Sequence, residues 1–340
     1  MSKRDFKVCG IGGAIVDILS EVPEAFVADQ AAQGMTKGGM MLIDAARARD
    51  IYAAMPPAIE CSGGSGANTI ACVASFGGAA AFIGVTADDQ FGAVFRHDMK
   101  AMNVHISSAP IPATSDMATG QCLILVTPDA QRTMNTYLGA ATQLDSAHVD
   151  AALIARSEMI YLEGYSFDSP LNKAAFGAAA KAARSSGTKI ALTLSDSFCV
   201  DRHREDFLAF IATGVDVLFA NAQEALHLTQ TDTLNDAIAA IRQMCPLVAI
   251  TCGADGSKIV LPDQLIGIAA VPPAHVLDTT GAGDAYAGGF LYGYTSGLAL
   301  AECGHLGSLA AATVIAQMGP RPRVKLSTLL PSHLMTESAA

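Results

Sequence analysis

Short apolar runs rich in β-branched residues recur along the chain and alternate with longer stretches whose apolar positions repeat at helical spacing. The runs are KVCGIGGAIVD, AAFIGV, MIYLEGY, KIALTLS, VDVLFAN and LVAITCG, and between them lie ANTIACVASFG, LNKAAFGAAAKAARSSG and TLNDAIAAIRQMC. Strands buried on both faces and separated by helices predict an α/β body, a mostly parallel sheet with helices on both sides. Two stretches break the rhythm. Residues 18–60 and 111–138 read as turns and amphipathic strands, notably TGQCLILVTPDAQRTMNTYLG, whose Thr-Pro-Asp-Ala centre predicts a hairpin turn. Paired with each other as a small β-sheet over the edge of the body where α/β proteins bind ligands, they would form a lid. The body then comprises residues 1–17, 61–110 and 139–330, and residues 331–340 form a frayed tail.

With 340 residues, of which 51% are hydrophobic and 16% charged, the chain has the composition of one large packed core. The net charge of -11, with no run of basic residues, argues against a nucleic-acid partner and for a small-molecule one. Eight cysteines without a C-x-x-C pair read as reduced thiols of a cytoplasmic protein rather than as zinc ligands. The apolar start is interrupted by Asp17 and lacks a cleavage site, so it reads as a first buried strand that ends at that acid, not as a signal peptide. No apolar stretch approaches the roughly 18 residues of a membrane helix.

Candidate chemistry concentrates in DTTGAGDAYAGGF, residues 278–290. An extended segment, AHVLD, leads into it, and a helix is predicted after Gly281. The backbone N–H groups of Gly281, Ala282 and Gly283 would then sit at a helix N-terminus, which is an anion site. Asp284 in the same turn either complements the helix dipole or takes a proton from a hydroxyl that attacks a bound phosphate. The chain has no G-x-x-x-x-G-K-[ST], and GIGGAI lacks the last glycine of a dinucleotide loop, so neither a Walker site nor a dehydrogenase is expected.

Taken together, DTTGAGDAYAGGF, GGSGANTIACVASFGG and FIGVTADDQFG resemble the two signatures of the PfkB/ribokinase family of carbohydrate and nucleoside kinases, in the family's order. The resemblance spans roughly residues 6–325. It implies a ribokinase-like fold, ATP as donor, magnesium, and Asp284 as catalytic base beside an anion hole made by Gly281, Ala282 and Gly283. Asp17 matches the acid that holds sugar hydroxyls, and Gly63, Gly64 and Asn68 match the loop that lies against the sugar. Asn221 and Glu224, in NAQE, resemble a pair that organises the water shell of magnesium, although Asn followed three residues later by Glu is also a capping box. Thr251, Gly253 and Gly256, in ITCGADGS, resemble the ATP loop or form a plain tight turn. Arg132 resembles a lid arginine that folds over the phosphates or is a surface residue. By analogy Asp278 binds an activating monovalent cation such as potassium.

Within the family, GIGGAIVDIL, TGQCLILVT, RTMNTYLGAA and GYSFDSP are most similar to the adenosine kinase branch. That implies transfer to the 5′-hydroxyl of adenosine, with Tyr165 and Met41 covering the base. Three departures qualify the likeness: Gly13 stands where relatives often have Asn, Met41 where a polar lid residue reads the base, and Ser308 where several members place a His near the nucleotide. A free-sugar kinase of the same family is the competing expectation, and a non-catalytic nucleoside-sensing protein is the alternative of another class. Members are either monomers or dimers joined through their lids.

Overall fold

The protein is described here by a computed structural model covering residues 4–114, 116–129 and 131–330. The expected tail at 331–340 lies outside the described residues. In chain order the strands are β1 (Phe6–Ile11), β2 (Ile15–Glu21), β3 (Met40–Leu42), β4 (Ile59–Gly63), β5 (Ala80–Ile83), β6 (Val104–Ile106) and β7 (Gly120–Val126). They continue with β8 (Arg132–Tyr137), β9 (Ser157–Glu163), β10 (Lys189–Thr193), β11 (Val217–Asn221), β12 (Val248–Thr251), β13 (Ser257–Val260) and β14 (Leu265–Ile268).

Nine of these form the body sheet in the order β14-β13-β12-β11-β10-β9-β1-β5-β6, parallel from β6 through β12 and antiparallel at β13 and β14. The period of two along each strand divides the core between the two faces. On β9, Met159 and Tyr161 join one buried cluster while Ile160 and Leu162 join the other. A strand buried on both sides has no polar face to offer, which is why these runs are continuously apolar.

The lid is a second sheet, ordered β3-β8-β7-β2-β4. Its β7–β8 hairpin is antiparallel, as the turn predicts, and Thr127 N donates to Gln131 O across the hairpin's closing end at 3.0 Å. One lid face, through Leu123, Leu125 and Tyr137, packs under the helices Glu24–Gln30 and Ala45–Ala54. The other, through Cys122 and Ile124, faces the body.

The lid begins earlier than expected. KVCGIGGAIVD is not one strand: β1 ends at Ile11, the chain turns at Gly12 and Gly13, and β2 enters the other sheet. Asp17 therefore stands in the middle of a lid strand, paired with Cys61 on β4 and Cys122 on β7, rather than at the end of the first strand. The lid sheet accordingly takes in residues 15–21 and 59–63. Among the described residues of 111–119 there is no lid strand, and Ile111 makes a bridge to Ala87 instead.

The helix after the signature turn runs Ala282–Thr295 and lies against the body through Phe290, which is fully buried between Phe219, Tyr286 and Tyr294. Among the described residues no helix is long and apolar enough to cross a membrane. Phe290→Ala is expected to lower folding stability by about 3–5 kcal/mol, through lost transfer energy plus the cavity left behind, and urea unfolding would measure it.

Candidate active site

A cavity of about 730 Å³ opens between the lid and the carboxyl edge of the body sheet. Asp17, Gly64, Asn68, Arg132, Tyr165, Asn221, Glu224, Thr251 and the turn Gly281–Asp284 all line it, so residues spread over 268 positions of sequence converge on one space. The sequence-predicted residues Gly63, Gly253, Gly256, Ser308 and Met41 do not contribute to its wall.

Its floor is the signature turn. Gly281 adopts φ +75°, where a side chain is strained and where a Cβ would run into Pro320. The helix begins directly after it, and first-turn N–H groups lack intrahelical acceptors; Ala282 N turns back to Thr279 O at 3.2 Å. Asp284 is held by Ser65 Oγ at 2.7 Å on one oxygen and by Asn68 Nδ2 at 3.0 Å on the other. Burial raises its pKa, and the Ser65 and Asn68 hydrogen bonds with the Arg321 charge pull it back down. The carboxylate is thus fixed in orientation and less acidic than an ordinary aspartate.

Across from it, Asp17 is buried and its pKa is pushed up to about 7, mainly by desolvation, with Arg321 opposing and Asp284 adding to the rise. The Gly63-Gly64 loop makes room for this group. A Cβ on Gly63 would collide with the Asp17 carboxyl, and Gly64, at φ +87°, passes so close to Gly13 O that it too excludes one.

Glu163 is the residue that sequence reasoning missed. It ends β9, is buried, and accepts hydrogen bonds from Gly13 N at 2.6 Å and Gly66 N at 2.5 Å. Burial lifts its pKa to about 7 against those donors. The available signal was an acid closing an otherwise apolar strand at the sheet edge where ligands bind. Arg321, in the loop after the last long helix, was missed as well; its only mark in the sequence is a position between two prolines.

Asn221 and Glu224 form the expected reciprocal capping box: Asn221 N donates to Glu224 Oε2 at 2.9 Å and Glu224 N to Asn221 Oδ1 at 2.8 Å. Glu224 is buried, raised to about 7 by desolvation, and faces Asp196 and Asp284. No group of three potential metal ligands occurs among the described residues. An acid whose oxygens are already hydrogen-bonded, beside two further acids, fits a hydrated magnesium ion held through water rather than a directly ligated one.

Three expectations are corrected. Met41 does not face the cavity, because period-two alternation on β3 turns Met40 and Leu42 toward it and packs Met41 against the cluster under the lid helices. Asp278 does not present free oxygens to a monovalent cation: Oδ1 accepts from the Arg132 guanidinium and from Thr280 N at 2.7 Å, and Oδ2 from Gly319 N at 2.8 Å. Three N–H donors do not fit a bare cation there, and Arg132 is neither a surface residue nor free above the cavity. Ser308 is buried in the helix Leu300–Ile315, away from the cavity wall. Gly253 and Gly256 bracket a tight turn, with φ values of +60° and +85°, and a Cβ on Gly256 would meet Ile268 O. Tyr165 lines the cavity, but its hydroxyl donates to Ser195 O at 3.3 Å.

Asp17, Glu163 and Glu224 all hold protons in the fold that the unfolded chain has released between roughly pH 4 and 7. Folded pKa values raised above the unfolded ones mean that stability is greatest at low pH in that window and falls as pH rises. The thermal midpoint of the ligand-free protein is expected to drop between pH 5 and 8, and Asp17→Asn to shallow the drop. An unchanged slope in that variant would count against a buried, proton-holding Asp17.

Comparison with known proteins places this geometry. The profile of the pfkB family of carbohydrate kinases matches residues 42–325. The adenosine kinase of Sinorhizobium meliloti superposes with a TM-score of 0.90 at 46% identity, covering 96% of this chain and 98% of that one. A protein from Rhizobium etli CFN 42 designated a probable sugar kinase does so with a TM-score of 0.90 at 45% identity and the same coverage. The cytidine kinase of Thermococcus kodakarensis is 38% identical over 119 residues, 34% of this chain and 42% of that protein, so this match spans less than half of that relative's length. The chain belongs to the pfkB family of carbohydrate kinases, phosphotransferases with an alcohol group as acceptor.

Proposed function

We propose that this chain is an ATP-dependent nucleoside kinase that transfers a phosphoryl group to a 5′-hydroxyl, adenosine being the first candidate substrate and AMP the product. One observation carries the reading. Met40 and Leu42 on the lid's edge strand are 37% and 48% exposed, yet both turn into the cavity, where Ile124, Met134 and Leu138 continue the same apolar wall. A flat base would cover that surface, whereas a free sugar has nothing apolar to lay against it. The likeness to a kinase named for adenosine supports the same reading.

The site's own residues define the roles. Asp17 accepts hydrogen bonds from vicinal ribose hydroxyls, since a carboxylate has room for two donors. The acceptor hydroxyl then lies toward Asp284, which takes its proton as the oxygen attacks. The backbone N–H groups of Gly281 and Gly283 stabilise charge on the transferred phosphoryl group in line with that attack, with that of Ala282 joining once it leaves Thr279 O. Asn221 and Glu224 would hold magnesium through its water shell at the carboxyl edge, where the ion would supply positive charge to the phosphates. The free thiols of all eight cysteines support a reducing, cytoplasmic setting. A covered outer lid face supports a monomer over a lid-mediated dimer.

A free-sugar kinase with the same machinery is favoured by one feature: Met40 and Leu42 on β3 and Gly13 at the turn offer a base no polar side chain at the positions expected to read it.

ADP release with Mg-ATP is expected with adenosine and not with ribose, fructose or 2-keto-3-deoxygluconate. Asp284→Asn should lose about 10²–10⁴-fold in kcat while still binding nucleoside in calorimetry. Leu42→Asp should raise KM for the nucleoside with kcat little changed. Turnover confined to a free sugar would overturn the substrate, and full activity in Asp284→Asn would overturn the base.

A further inference from the structure

Arg321 follows Gly319 and Pro320 in the loop beyond the helix Leu300–Ile315, and its guanidinium lies behind the Gly63-Gly64 loop, outside the cavity wall. Nε donates to Asn68 Oδ1 at 2.9 Å, Nη2 to Gly63 O at 3.1 Å, and Nη1 to Ser62 Oγ. The group also lies over the Phe95 ring at 5.9 Å. Its planar fork therefore grips the end of β4, the Gly63-Gly64 loop and the first turns of the helix Ser65–Ser75 at once.

The contact with Asn68 has a chemical consequence. A guanidinium only donates, so the amide must offer Arg321 its oxygen and has only its N–H₂ left for Asp284. The observed Nδ2 to Asp284 Oδ2 bond, 3.0 Å, is the orientation this forces. With the amide reversed, a carbonyl oxygen would face a carboxylate and repel it. Arg321 reaches Asp284 through Asn68, and no hydrogen bond joins the two directly among the described residues.

We propose that Arg321 is a positioning residue for phosphoryl transfer: it fixes the Asn68 amide so that Asp284 is held by a donor, and it clamps the substrate loop. This rests on the kinase reading above. Its charge has a second effect, because the groups facing Asp284 are otherwise neutral or acidic: Ser65 and Asn68 from the helix Ser65–Ser75, Asp17 from β2, Glu163 from β9, Glu224 from the helix Ala222–Thr229, and Tyr161 and Tyr165. Asp98, which accepts from Ser62 N and Oγ, faces Arg321 from behind. Arg321 is the cation that lowers both Asp17 and Asp284.

The test compares Arg321→Gln, Arg321→Lys, Asn68→Leu and the Arg321→Gln/Asn68→Leu double variant in kcat, in nucleoside KM and in the pH profile of kcat, with thermal unfolding as the folding control. The Asp284 carboxyl carbon is titrated by NMR in the ligand-free proteins. Arg321→Gln is expected to lose about 10–100-fold in kcat through a misplaced base and to move the acid limb and the Asp284 titration upward by on the order of one pH unit. Arg321→Lys, which keeps the charge and loses the fork, should hold the acid limb near its original pH while kcat still falls. The double variant should be no slower than the worse single one. Losses that multiply, or an Asp284 titration unmoved in Arg321→Gln, would overturn the proposal. If Arg321→Gln does not fold, Arg321→Lys against Asn68→Leu decides it by the same criteria. A wild-type protein without kinase turnover would sink the kinase reading alone, because the NMR titration tests the Arg321–Asn68–Asp284 relay without substrate.

Discussion

The carboxylate of Glu163 joins three separated pieces of chain, and the shape of the site depends on it. It leaves the end of a body strand and accepts the N–H of Gly13, where the chain crosses from body to lid, and that of Gly66, where the helix behind the substrate loop begins. A Cβ on Gly12 or on Gly66 would run into it. The glycines of GIGGAI and GGSGAN, 53 residues apart and in appearance unrelated, are thus explained by one buried acid that both must approach. An unpaired acid in that place would be costly, and two short backbone hydrogen bonds offset much of the cost.

Around that joint the protein collects carboxylates rather than neutralising them. Burial raises Asp17, Glu163 and Glu224 to about 7, outweighing the Arg321 charge beside Asp17 and the hydrogen bonds to Glu163 and Glu224, and each feels Asp284 as a further negative neighbour. Arg132 is spent on Asp278 at the rim, which leaves Arg321 as the cation that lowers the acids at the centre. Such a site is short of positive charge, and a hydrated metal ion accompanying a polyphosphate would meet that shortage.

Most of the architecture was legible because it rests on periodicity. Every apolar run named in the sequence contains a strand, since continuous burial leaves one reading for a short β-branched stretch between helices. The failures occur where periodicity is silent. In KVCGIGGAIVD the Gly12-Gly13 pair was the one available turn signal, and it was overridden because both halves are apolar and only the change of sheet separates them. Met41 went wrong by one residue, which on a strand exchanges the two faces. The motif residues Asp17, Gly64, Asn68, Glu224 and Asp284 do meet at one cavity, while Glu163 and Arg321 act through backbone and amide groups whose partners no local pattern reveals.

The lid and the floor of the cavity divide the work by polarity. Lid strands give Met40, Leu42, Ile124 and Met134 to one wall, and the helix starts at Ser65 and Ala282 give hydroxyl, amide and backbone donors to the other. Asp17 belongs to the lid by strand and to the floor by chemistry, since β2 carries it between Cys61 and Cys122 on a largely apolar face to within Coulombic reach of Asp284. Arg132, at the start of β8, ties the same sheet to the signature turn through Asp278 and Thr280. Lid position and anion-turn geometry are therefore coupled by one ion pair, and any ligand that draws Arg132 away from Asp278 must act on both at once.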